Sequence, residues 1–183
     1  MTDQQLKQTI AAIRHEFFAY RNGIVADALR KGGDPHRLIM GCQLIDVMTI
    51  ARQQEPSVEL ASALWADKDS RECRMIAPML MPVGECDATT AEAWAADAEC
   101  PEIADLLCHR LLRRMPFAPQ LLRTLLAYDQ PRVRYVAFRL MLNLLIMGTI
   151  EPTGNFKALA EAELSTATTP AMQQLLQSIL QEF

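Results

Sequence analysis

The stretch DQPRVRYVAFRLMLNLLIMG, residues 129–148, decides the fold class. Within it Val133, Val136, Ala137, Leu140, Met141, Leu144 and Leu145 recur at the three- and four-residue intervals that line one side of an α-helix. Asp129-Gln130-Pro131 opens the helix, because proline at the first helical position sacrifices no hydrogen bond, and Gly148 closes it. Arg139 and Asn143 interrupt the apolar run, so it falls short of the roughly 18 residues a membrane-spanning helix needs. With a polar start from Met1 to Thr9, the expectation is a soluble, cytoplasmic protein with no membrane contact.

The same period and punctuation continue outward in both directions. One helical stretch is expected over about Asp3 to Lys31, bent at Asn22-Gly23 and ended by Gly32-Gly33. Asp34-Pro35 reads as the opening of a helix with Leu38, Leu44, Ile45 and Met48 on its apolar side, and Pro56 opens another bearing Leu60, Ala61, Leu64 and Trp65. Asp69-Ser70-Arg71-Glu72 and Thr89-Thr90-Ala91-Glu92 read as capping boxes. Further starts fall at Pro101, at Pro116 or Pro119, and at Thr169-Pro170. No segment alternates as a strand would, and seven glycines with 6% aromatic residues suit a sandwich or barrel poorly.

From residue 56 the helices recur as pairs, 56–66 with 70–81, 90–97 with 101–114, 117–127 with 131–147, and 154–164 with 169–182. Pairs at roughly 30–35-residue spacing predict an all-α, HEAT-like α-α superhelix (α-solenoid) of about ten helices, in one domain spanning 1–183. An irregular α-bundle is the alternative.

Five scattered cysteines without paired spacing favour reduced thiols. Only Cys108-His109 stand as neighbouring ligand types, so neither a metal site nor a cofactor is expected. Phosphate-cradling glycine loops, GxSxG elbows and HExxH helices are all missing from the sequence.

Charge is segregated. Residues 85–105 hold seven acids and no Lys or Arg, whereas residues 106–140 hold seven arginines and one acid, so a segment of about −7 abuts one of about +6. Arg110, Arg113 and Arg114 are spaced to share a helical face, as are Arg132 and Arg139. The planar guanidinium fork suits phosphate or carboxylate. The acids therefore either neutralise the arginines within the protein or across a dimer, or leave an arginine-lined concave surface for a nucleic-acid backbone or an acidic protein. The net charge of −4 argues against DNA and the local distribution argues for it.

Three stretches resemble the DNA alkylation repair family of HEAT-like proteins, which excise N3- and N7-alkylated purines. They are Leu64-Trp65 followed by Arg71-Glu72-Cys73-Arg74 and Ala77, Trp94 leading to Ala104-Asp105, and Arg134 within Arg132-Val133-Arg134-Tyr135-Val136-Ala137. The resemblance covers roughly residues 40–147. It implies that Asp105 is the catalytic carboxylate and that Arg134 clamps a phosphate or partners that site. It also implies that Arg110, Arg113, Arg114, Arg132, Arg134 and Arg139 contact DNA, with Trp94 and Arg74 near the cleft and without a metal. The chain departs from the family pattern where Pro101 replaces a tryptophan one turn before the aspartate, and no tryptophan follows Asp105. The other reading is a non-catalytic scaffold binding a protein partner, a second copy or structured DNA.

Each residue also has a structural role open to it. Asp105 sits well near a helix N-terminus, Glu72 suits a cap, Trp65 and Trp94 suit a core, and Arg134 suits a salt bridge between repeats. His109, four residues after Asp105, can meet it on one face.

Overall fold

A computed structural model describes residues 2–183, and every regular element among them is helical. The chain divides into two units, one ending at Cys86 and the other beginning at Asp87.

In the first unit, Asn22 breaks what the pattern suggested was a single bent helix. Its Oδ1 accepts from Ile24 N (3.1 Å) and Val25 N (3.2 Å), satisfying donors that the start of a helix leaves without partners. The result is two helices, α1 (Asp3–Ala19) and α2 (Gly23–Lys31). Asp34-Pro35 opens no helix either. Asp34 Oδ1 takes the backbone N–H of His36 at 3.0 Å and lies 2.7 Å from its ring Nδ1. The chain then runs extended, Leu38 N donating to Asp69 O (2.7 Å) and Arg71 N to Leu38 O (3.1 Å). Only at Leu44 does α3 (Leu44–Arg52) begin, and Val47, Ile50 and Ala51 are its buried face. Two further helices, α4 (Val58–Trp65) and α5 (Arg71–Leu80), pack as an antiparallel pair, with α3 against α5 and α1 against α3 and α4.

Two features hold the 34–43 segment in place. Glu72, fully buried, accepts Met40 N at 3.1 Å and Gly41 N at 3.0 Å, and its charge is met by Arg71 Nη1 at 2.9 Å. It therefore anchors a loop rather than closing a capping box, while Ser70 caps α5 through Cys73 N. Gly41 has φ +77°, and a Cβ there would lie 2.2 Å from Asn22 O and 2.7 Å from Ala26 N. Gly41→Ala combines that clash with a left-handed backbone, so a loss of at least about 2 kcal/mol is expected. Thermal unfolding would show it as a drop of roughly 4–8 °C.

The second unit contains α6 (Ala88–Asp97), α7 (Pro101–Arg110), α8 (Ala118–Leu126), α9 (Pro131–Ile146), α10 (Gly154–Thr166) and α11 (Pro170–Leu180). Asp87, not Thr89, caps α6 by accepting Thr90 N at 2.7 Å, and Glu92 is taken by the Tyr128 hydroxyl. Within the unit α8 packs on α9 and α10 on α11, as a stack of helix pairs requires, whereas α6 packs on α8 and α9 rather than pairing with α7 as the spacing predicted. The later members of the pairs, α7, α9 and α11, also lie side by side, α9 touching both others. Each begins with proline in its first turn.

The helix expected over 101–114 is shorter. It ends at Arg110, and Leu112–Arg114 form a 3₁₀ turn. The α run breaks at Leu111 (φ −122°, ψ −69°), and Pro116 ends the following turn, because its ring disfavours α geometry at Met115, which adopts φ −71°, ψ 138°.

Candidate active site

Asp105 lies on α7, facing Tyr135 and Arg139, which are one turn apart on the adjoining α9. The Tyr135 hydroxyl donates to Asp105 Oδ1 at 3.0 Å. Arg139 Nε lies 2.9 Å from the same oxygen, a distance that makes an ion pair, but it is not aligned as a hydrogen bond. Oδ2 accepts no hydrogen bond from the described residues. The Asp105 side chain is one-third exposed, at 33%.

Burial pushes the Asp105 carboxyl above the ordinary aspartate value, against the opposing pull of Arg139 and of the Tyr135 hydrogen bond. Burial, reinforced by the Asp105 charge, drives the Tyr135 phenol well up, so at neutral pH it remains a donor. Cys108, on the same helix, is fully buried with its Sγ 3.5 Å from Val136 O; burial raises its thiol, which makes it a core side chain.

Arg134 is not the partner of Asp105. Its Nε donates to Glu163 Oε2 at 2.7 Å, and its Nη1 reaches Leu126 O (3.1 Å) and Tyr128 O (3.4 Å), so it ties α9 to α10. Arg139, five residues later, takes the place next to the acid. The signal was present in the sequence: Tyr135 and Arg139 are four residues apart on one α9 face, whereas Arg134 projects from another. Tyr135 itself was missed because a lone tyrosine in an apolar helix reads as core.

The other expected DNA contacts sort by exposure. Although α7 stops short, Arg113 Nη2 lies 3.2 Å from His109 Nε2, and Arg114 Nη1 donates to Arg110 O at 3.4 Å, so the group stays together. Burial and then the neighbouring Arg113, Arg110 and Arg139 charges lower the pKa of His109. It therefore stays neutral at pH 7 and sits among cations rather than beside Asp105 as an acid–base partner. Arg114 and Arg132 are exposed, as is Arg123, which was not among the expected contacts. Among the described residues Arg113, Arg114, Arg123 and Arg132 pair with no carboxylate.

Neither Trp94 nor Arg74, the two residues expected near the cleft, lines the cavity beside Tyr135. Trp94 is buried in α6. Arg74, in the first unit, is fully buried with its guanidinium 3.6 Å above the Trp65 ring and its Nη1 on Trp65 O, so it belongs to that unit's core. A cavity of about 370 Å³ opens where the first turns of α7, α9 and α11 meet, walled by Pro101, Ala104, Arg132, Tyr135 and Met172 among others.

Stacked helix pairs that expose one carboxylate beside a group of arginines place the chain among helical-repeat proteins. The family model described as DNA alkylation repair enzyme matches residues 13–166, and the chain belongs to that family. No curated protein and no solved structure matches it. No helix among the described residues is long and apolar enough to cross a membrane, and none of their His, Cys, Asp and Glu side chains cluster in threes as a metal site would need.

Proposed function

We propose that this protein holds DNA through its arginine-rich segment and excises N3- or N7-alkylated purines as a DNA glycosylase, with Asp105 as the carboxylate. The single observation that carries the reading is Asp105 itself, a one-third-exposed side chain with Oδ1 held by Tyr135 and Arg139 and with no hydrogen bond to Oδ2 from the described residues. An alkylated purine is already cationic, so its glycosidic bond is weak. A carboxylate beside the sugar stabilises the oxocarbenium character that develops as the bond breaks, and it does so best where it is oriented before the substrate arrives. Arg113, Arg114, Arg123 and Arg132, without carboxylate partners, supply the charge to meet phosphates. Arg110 adjoins them, and Arg139 serves Asp105. The family match crosses both units, which supports residues 1–183 as one repeat domain.

A gel-shift titration over increasing salt tests the binding. Reversing two cations with Arg113→Glu and Arg114→Glu should weaken binding at least about 10-fold at low salt and lower the salt slope by roughly two. Wild-type protein that fails to shift DNA at low salt, or a double variant that shifts it equally well, refutes the DNA reading.

The second reading, a scaffold that binds protein, is favoured by Pro101 and by the pairing of Arg134 with Glu163 and Arg139 with Asp105. It predicts no base release and no salt-dependent DNA binding.

A further inference from the structure

We infer that Tyr135 is a positioning residue for Asp105, its hydroxyl fixing which carboxylate oxygen is presented to a ligand and its ring forming a wall of the adjoining cavity. The inference rests on the proposed role of Asp105.

Arg139 cannot do this work alone. Its Nε stands 2.9 Å from Oδ1 but is not aligned as a hydrogen bond, so it contributes charge more than direction. The Tyr135 hydroxyl, 3.0 Å from the same oxygen, contributes the direction. With both groups on Oδ1, rotation of the carboxylate costs a charge-assisted hydrogen bond, and Oδ2 is left as the oxygen without a hydrogen bond from the described residues. Tyr135 and Arg139 are four residues apart on one rigid helix, so α9 sets both contacts through a single element.

The second observation is independent of that bond. Tyr135 is the one aromatic residue among those walling the cavity of about 370 Å³, where it stands with Pro101 and Ala104 of α7. Asp105 does not line that cavity. Tyr135 is thus the side chain that touches both the space and the carboxylate, and a planar ligand in the cavity would rest against the group that orients Asp105.

The test uses the intact protein carrying Tyr135→Phe, which keeps the ring and removes only the hydroxyl. NMR titration of the Asp105 carboxyl carbon, in wild type and variant without DNA, should show the midpoint moving up in the variant, because a hydrogen bond to the charged form has been lost. On alkylated DNA the variant should release 7-methylguanine roughly 10-fold more slowly at unchanged KM. Tyr135→Ala, which also removes the wall, should raise KM as well.

An unmoved Asp105 midpoint in folded Tyr135→Phe overturns the inference. Should that variant not fold, the wild type still decides, since the Tyr135 ring carbon bearing the hydroxyl must follow the Asp105 titration. A ring signal indifferent to that titration also overturns the inference. A wild type that releases no base while the midpoint still moves refutes catalysis and upholds the hydroxyl as the group that holds Asp105.

Discussion

Asp105→Asn is expected to abolish release of 7-methylguanine from alkylated DNA, lowering the rate by about 10²–10³, while gel-shift affinity for the same DNA stays near that of the wild type. The amide matches the carboxylate in shape and can still accept the Tyr135 hydrogen bond, so the change removes charge and little else. The pH behaviour follows from the direction of the Asp105 shift. Activity needs the ionised carboxyl, and burial raises its pKa, so activity should begin to fall at a higher pH than an ordinary aspartate would give. The sign for stability is the reverse of the common salt-bridged case. Because the folded value lies above the unfolded one, the group's favourable contribution is present at low pH and lost as pH rises through the folded value. Asp105→Asn should therefore melt no lower than the wild type at pH 7, and any advantage should vanish on acidification below the unfolded aspartate value. A variant that is fully active, or one much less stable at neutral pH, would mean that Asp105 serves the fold rather than the chemistry.

The fold was largely legible because its starts are written in residues with few alternative uses. Pro101, Pro131 and Pro170 each begin a helix of the second unit, and the seven apolar positions of α9 are all buried. Errors arose where a local signal met a distant partner. Asp34-Pro35 carries a good helix opening, but Glu72, more than thirty residues away, takes the Met40 and Gly41 N–H groups and holds the segment extended. Thr89 with Glu92 fits a capping box, yet Asp87 caps first and Glu92 is drawn to Tyr128. Of the three side chains that meet at Asp105, the sequence singled out Asp105 and, as an expected DNA contact, Arg139, but not Tyr135. Asp105 stood out by resemblance, whereas choosing Arg139 over Arg134 requires knowing that Glu163 of α10 waits for the latter. The spacing within α9 puts Arg139 on one face with Tyr135 and Arg134 on another, but it does not say which face meets Asp105.

The largest loss of stability should come from Glu72→Ala. Glu72 is fully buried, its oxygens accepting two backbone N–H groups of the 34–43 segment and one bond from Arg71, whose side chain is only 5% exposed. Removing the carboxylate takes the counter-charge from a buried guanidinium, which keeps its bond to Cys42 O, and leaves the Met40 and Gly41 N–H groups without their acceptor, which costs about 3–5 kcal/mol and lowers the melting temperature by roughly 6–20 °C. Glu72→Gln separates the two components. Its amide oxygen can still accept one N–H, so it should lose less than the alanine variant, and the difference between them reports the backbone bonds rather than the charge. Hydrogen exchange gives the local reading: the Met40 and Gly41 amides should lose protection in Glu72→Ala far beyond the change in global stability. If both amides stay protected while the protein melts lower, Arg71 alone depends on the carboxylate, and the loop is held instead by the Leu38 pairing with Asp69 and Arg71.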